Sequence, residues 1–115
     1  MYITNLAKTT KFAAQMEGAK DVFKQIPLSR ENGAPVFSFR VFTVSPGGHT
    51  PYHIHPYEHM NYVISGEGAL VTENGEFTVK EGDFALVLAN EKHQYKNTSA
   101  TDDFVMICGV PKDFE

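Results

Sequence analysis

Four of the five histidines in this chain, His53, His55, His59 and His93, are the residues whose type and spacing offer chemistry. A neutral imidazole is a good ligand for first-row divalent metals. In an extended segment, His53 and His55 point to the same face because side chains alternate with a period of two. His59 keeps that parity, so one strand can present three imidazoles to one point if Pro56 permits a local adjustment, with His93 arriving from a neighbouring strand. A lone histidine is usually a surface or hydrogen-bonded core residue. Three of one parity favour a metal site holding one divalent transition ion per chain.

The elements that must position these residues read as β-structure. Val36 to Val44 is rich in β-branched and aromatic residues and runs into Ser45-Pro46-Gly47-Gly48, a turn cluster expected to end the strand. Met60 to Ser65 and Ala69 to Glu73 are further strands. Asn74-Gly75 then signals a hairpin of type I′, with Phe77 to Val79 returning from it. Glu81-Gly82-Asp83 breaks the chain before the apolar run Phe84 to Ala89, and His93 is expected near the end of such a strand, after a bend over Leu88 to Lys92. A last strand spans about Asp103 to Val110, and Val22 to Ile26 adds an edge strand closed by Pro27. Eight or more short strands predict an antiparallel sandwich or barrel. Only residues 5 to 20 leave room for helix, weakly at Ala13 to Met16, and this N-terminal segment is expected to be mostly irregular.

The chain has 115 residues, 42% of them hydrophobic, which suits one domain with one core. With 10 Lys+Arg against 14 Asp+Glu and no basic run, nucleic acid is not an expected partner. No apolar stretch has the length of a secretory core or a bilayer span, so no membrane partner is expected. Cys108, the single cysteine, cannot form an internal disulfide. The expected setting is cytoplasmic.

The spacing resembles the two motifs of the cupins. Gly47 is followed by five residues, then His53-Ile54-His55, three residues, His59, six residues and Gly66, matching a first motif G(x)5HxH(x)3-4E(x)6G with histidine in the glutamate place. Gly82, His93 and Asn97 match the second motif G(x)5PxG(x)2H(x)3N, in which Leu88 and Asn90 replace Pro and the second Gly. The chain looks like the small single-domain four-histidine cupins of bacteria, including a manganese-binding type. The resemblance implies an all-β, double-stranded β-helix (jelly-roll) barrel. It also implies a single domain over 1–115 with its motifs within about 36–110, one metal inside, and a homodimer.

Four neutral imidazoles would leave the ion its full double positive charge, a stronger Lewis acid than a site with a carboxylate ligand. An octahedral ion would keep open positions, whereas a tetrahedral one would be closed and structural. The resemblance favours Mn, Fe or Ni, with Zn also admissible.

Around the metal, Glu58 and Asn97 are candidates to accept the second N–H of a ligand histidine, although Glu58 has the opposite strand parity. Phe104, Met106 and Cys108 share the parity that faces the interior in the resembling cupins, and ordinary core is an equal reading for Phe104. Cys108 is expected not to ligate the metal. Tyr57 and His49 flank the HxH loop, and Asn61 is an interior polar candidate. Arg40 interrupts an apolar strand, which is costly unless the guanidinium reaches water or is paired, either with one of the acids or with a substrate carboxylate. Met60, Tyr62 and Ile64 would form an apolar outer face.

The leading functional expectation is a metal-dependent oxidoreductase, a dioxygenase or peroxide-using enzyme that oxidatively cleaves a small-molecule ligand. No catalytic residue beyond the metal ligands stands out. A uronate isomerase-type cupin and a non-catalytic ligand- or metal-binding module are the alternatives, since one barrel hosts many chemistries.

Overall fold

The computed structural model describes residues 1–115. Its strands are β1 (Phe12–Ala13), β2 (Lys20–Leu28), β3 (Phe37–His49), β4 (His59–Ser65), β5 (Glu67–Thr72), β6 (Gly75–Lys80), β7 (Phe84–Val87), β8 (His93–Asn97) and β9 (Phe104–Pro111). All pairings are antiparallel, in the order β6-β5-β8-β3-β9-β4-β7, with β2 on β3 and β1 on β2. The sheet curls into a jelly-roll barrel, the fold class the sequence predicted. Three short 3-10 turns, Leu6–Lys8, Arg30–Asn32 and Lys112–Phe114, supply the only helical backbone. No helix is long and apolar enough to cross a membrane.

Strand β3 organises the barrel because its inward Phe42 and Val44 are apolar and its neighbours are complementary. Phe42 and Val44 sit in a buried cluster with Val63, Tyr95, Phe104 and Met106. Across the β3–β9 ladder Phe42 opposes Met106 and Arg40 opposes Cys108, so two strands deliver matched side chains to one interior. Burial alternates along β9, with Phe104, Met106 and Cys108 inside and Val105 and Ile107 only partly covered.

Several boundaries differ from the sequence reading. Strand β3 does not end at Ser45. It runs on to His49 through a shift in which Val44 pairs with Val22 but His49 pairs with Lys20, and Gly47 takes the positive φ of 77° that this irregularity needs. Strand β2 likewise continues through Pro27 to Leu28. The proline sits where the register shifts between Gln25 and Leu28, a place where a missing N–H is tolerated. It is not an edge strand, since it pairs with β1 as well as β3.

At the β5–β6 hairpin Thr72 pairs with Gly75, so the turn residues are Glu73 and Asn74 rather than Asn74 and Gly75. Gly75 alone carries a positive φ, 126°, so this is no type I′ turn, and the Thr72 hydroxyl caps it by accepting from the Asn74 N–H. Strand β7 stops at Val87, short of Ala89, because Asn90 turns the chain with φ 65°. The weakly helical Ala13 to Met16 contains no helix, and Phe12–Ala13 pairs as β1 instead.

Candidate metal centre

The histidines do not lie on one strand. Pro51 and Pro56 fall within the segment between β3 and β4, and of His53, His55 and His59 only His59, the first residue of β4, lies on a ladder. His53 makes a single bridge to His93, with N–H to C=O bonds of 3.1 Å in both directions. The His55 carbonyl accepts from the Asn90 N–H at 2.8 Å. These bonds tie the HxH loop to the segment leading into β8. His93 therefore opens a strand rather than closing one, and the two halves of the sequence pattern meet through backbone.

The four rings converge. His53, His55 and His93 each place a ring nitrogen within 4.8 Å of the others. His59 lies outside that triad but against it, stacked on His55 at 4.2 Å between centroids and edge-on to His93 at 5.3 Å. The His55 Nδ1 is 2.8 Å from the Tyr57 carbonyl, and the His93 Nδ1 is 2.8 Å from the Glu91 carbonyl. A carbonyl only accepts, so in both rings Nδ1 carries the proton and Nε2 presents a lone pair. The buried Nε2 atoms of His55 and His59 have no protein partner. Converging ring nitrogens on His53, His55 and His93, with the orphaned His55 Nε2 lone pair on one of them, are what a divalent cation satisfies, so this donor set fits a metal.

Electrostatics keeps these rings in the ligating form. Burial is the main reason that the His53 pKa falls to about 4 and that of His59 to about 2. The Arg40 cation is the next cause for His59 and a lesser one for His53. His55 and His93 are lowered too, again mainly by burial, against the carbonyl hydrogen bonds that raise them.

A cavity adjoins the cluster, with about 60 Å³ open to the centres of water molecules. His53, His59, His93, Arg40, Tyr57, Met106 and Cys108 line it, together with Met16, Phe42, Thr50, Pro51 and Tyr95, which sequence reasoning missed. Tyr95 was within reach, being two residues from His93 on the same face of β8; Met16 comes from the irregular N-terminal segment, where no periodicity marks it.

Other expected site residues lie elsewhere. Glu58 is exposed, as its parity dictates. Asn97 is buried but spends its side chain on the Val44 and Asp102 carbonyls and the Ser99 N–H, so it pins a turn and supports no histidine. The His49 Nδ1 sits 3.1 Å from the Thr50 carbonyl, and the ring does not line the cavity. Phe104 is fully buried core. Asn61 stands one residue back, its amide oxygen accepting from the Tyr95 hydroxyl at 2.8 Å. Cys108 meets Arg40 rather than the histidine cluster, at 3.0 Å from Nη2. Arg40 forms no ion pair with a surface acid.

Tyr57 lines the cavity. It stacks on His55 at 4.1 Å and on Phe114 at 4.0 Å, which extends the His59–His55 stack into a column reaching the final 3-10 turn.

A β-barrel with imidazoles gathered beside a cavity is an arrangement compatible with a divalent metal. A family model described as a cupin domain matches residues 40–110, and the chain belongs to the cupin family. No curated protein matches the sequence.

Solved structures agree with the fold. The polyketide cyclase RemF from Streptomyces resistomycificus is 25% identical with a TM-score of 0.91, over 96% of this chain and 79% of that one. A predicted oxalate decarboxylase from Thermotoga maritima is 22% identical with a TM-score of 0.84, over 96% and 99% of the two chains. Ectoine synthase from P. lautus is 19% identical with a TM-score of 0.74, over 97% and 78%.

Proposed function

We propose that this chain is a single-domain, metal-dependent cupin enzyme in which His53, His55, His59 and His93 hold one divalent transition ion, with Mn, Fe or Ni favoured over Zn. The observation that carries this reading is the pair of buried, partnerless Nε2 atoms on His55 and His59 beside the His53–His55–His93 triad. Bound there, the ion supplies Lewis acidity undiminished by any carboxylate ligand, and redox capacity if it is Mn or Fe.

The chain supplies the rest. Carbonyl hydrogen bonds hold the His55 and His93 tautomers, Tyr57 lines the cavity while stacked on Phe114, and Phe42 and Met106 supply part of its apolar lining. The proposed reaction is oxidative cleavage of a small organic molecule with dioxygen or a peroxide as oxidant. A redox-neutral reaction on the same metal is the second reading, favoured by the similarity to a polyketide cyclase.

Reconstitution with each metal in turn, followed by oxidant-consumption measurements over a panel of small oxygenated molecules, tests the proposal. Consumption with Mn or Fe but not Zn supports oxidation. Turnover with Zn and no oxidant supports the second reading, and no metal-dependent turnover with any ion contradicts both.

A homodimer belongs to the same proposal. Phe39, Gly109, Met60 and Leu86 align across four strands, and Phe39, Met60 and Leu86 are 46%, 56% and 56% exposed on the outer face. Such a stripe suits a second copy of this face. Sedimentation should give twice the chain mass, and Met60→Glu should shift it to the monomer.

A further inference from the structure

Arg40 is a buried cation without a counter-ion. Its side chain is on β3 with only 6% of the residue exposed. Neither ion pair in the molecule involves it, since Arg30 pairs with Asp113 and Lys96 with Glu76, both at the surface. Its Nη2 donates to the Cys108 Sγ at 3.0 Å, a weak acceptor, its Nη1 reaches the Phe114 carbonyl at 3.4 Å, and its Nε has no partner. The Phe42 ring 5.0 Å from Cζ offers one further stabilising contact.

The charged groups nearby do not relieve it. Lys24 has the same sign, and Arg40 helps lower its pKa. The Glu115 side chain accepts from the Ser38 hydroxyl and the Arg30 N–H through Oε2 alone and makes no ion pair with Arg40. No Asp or Glu lines the cavity that Arg40 shares with His53, His59 and His93. Leaving a guanidinium buried without an anion is costly, and a cation placed beside neutral imidazoles weakens metal binding unless something in the cavity uses the charge.

We infer that Arg40 is the anion-recognition residue of the cavity, taking a carboxylate or enolate oxygen of a small organic acid whose remaining oxygens face the histidine cluster. The inference deepens the proposed metal-dependent function and rests on it for the second contact. About 60 Å³ open to water centres has room for only a few ligand atoms at a time. Met16, Phe42 and Met106 suit a short alkyl portion.

The test uses the full chain, metal-free and zinc-loaded, with pyruvate and its neutral amide as probes. Calorimetry gives affinity and zinc stoichiometry, and NMR follows the Arg40 Nε–H. Pyruvate is expected to shift the Nε–H signal and the amide is not. Arg40→Met should weaken pyruvate about ten- to hundred-fold, the loss of a charge-assisted hydrogen bond, with zinc stoichiometry unchanged. Arg40→Lys should recover part of the affinity.

An Nε–H signal silent to saturating pyruvate overturns the inference, and this needs only the wild-type chain. Pyruvate binding that appears only in Cys108→Ser overturns it too, because the thiolate would then be the native counter-ion. If the chain takes up no zinc while the Nε–H response persists, the metal reading fails and Arg40 stands. If zinc binds and Arg40 is indifferent to pyruvate, the reverse holds.

Discussion

The imidazole of His59 lies flat on that of His55, with centroids 4.2 Å apart, planes inclined by 14° and neither Nε2 satisfied by protein. Two buried ring nitrogens held together without partners destabilise the metal-free barrel, which is the cost of a preformed site. An unsatisfied buried polar group costs about 1–3 kcal/mol. His59→Leu should therefore leave the metal-free protein as stable as before or more so by about 1 kcal/mol, while metal affinity drops about tenfold or more. Urea unfolding of chelator-treated protein and metal titration check the two halves. Destabilisation of the metal-free form with unchanged metal affinity would mean that His59 is ordinary core.

Acid should weaken the metal-free fold through these same rings. An unfolded histidine protonates near pH 6.5, whereas folded His53 does so only at about 4 and folded His59 at about 2. Below pH 6.5 the unfolded chain therefore binds more protons, and stability falls as pH is lowered from about 6.5 toward 4. Denaturant midpoints measured on chelator-treated protein across that range should fall steadily. A flat or rising profile would show that the histidines are not buried as a neutral cluster.

Tyr95 is a positioning element rather than an acid. Its hydroxyl is buried, which raises its pKa and keeps it protonated to donate to Asn61. The other Asn61 hydrogen bond, to the Ile107 carbonyl, is a long 3.4 Å. Tyr95→Phe should cost about 1–3 kcal/mol, because the Asn61 oxygen loses its donor. Thermal unfolding checks this, and an unchanged midpoint would mean that water takes the place of the hydroxyl.

How much was legible from sequence depended on whether a feature is local. Strand content and the four histidines follow from residue pattern, because side-chain alternation and imidazole chemistry need no tertiary context. The placement of His53 and His55 in a loop did not follow. Parity assigns them to a strand, but two prolines and the backbone bonds to His93 and Asn90 decide otherwise. Asn97 matched a motif position yet serves a turn, since sequence spacing cannot show which carbonyls an amide will meet. The lack of an acid paired with Arg40 was equally invisible, because a missing acid can be seen only in space.

Gly66 and Gly82, both points of the sequence pattern, should behave differently when substituted. A Cβ on Gly66 would lie 2.2 Å from the Asp103 carbonyl oxygen at φ 83°, whereas one on Gly82 meets nothing within 4 Å at φ 93°. Gly82→Ala should cost about 1 kcal/mol of backbone strain. Gly66→Ala should cost clearly more, because backbone must move as well. Denaturation of the two variants side by side orders them, and equal losses would contradict the close approach at Gly66.

The most direct test of the metal centre is metal content with ligand identity. Protein purified without added metal should carry about one divalent transition ion per chain, X-ray absorption should show imidazole nitrogen and no sulfur, and His93→Ala should release the ion while Cys108→Ala retains it. A chain that binds no ion under saturating metal, or keeps it in His93→Ala, would contradict the account.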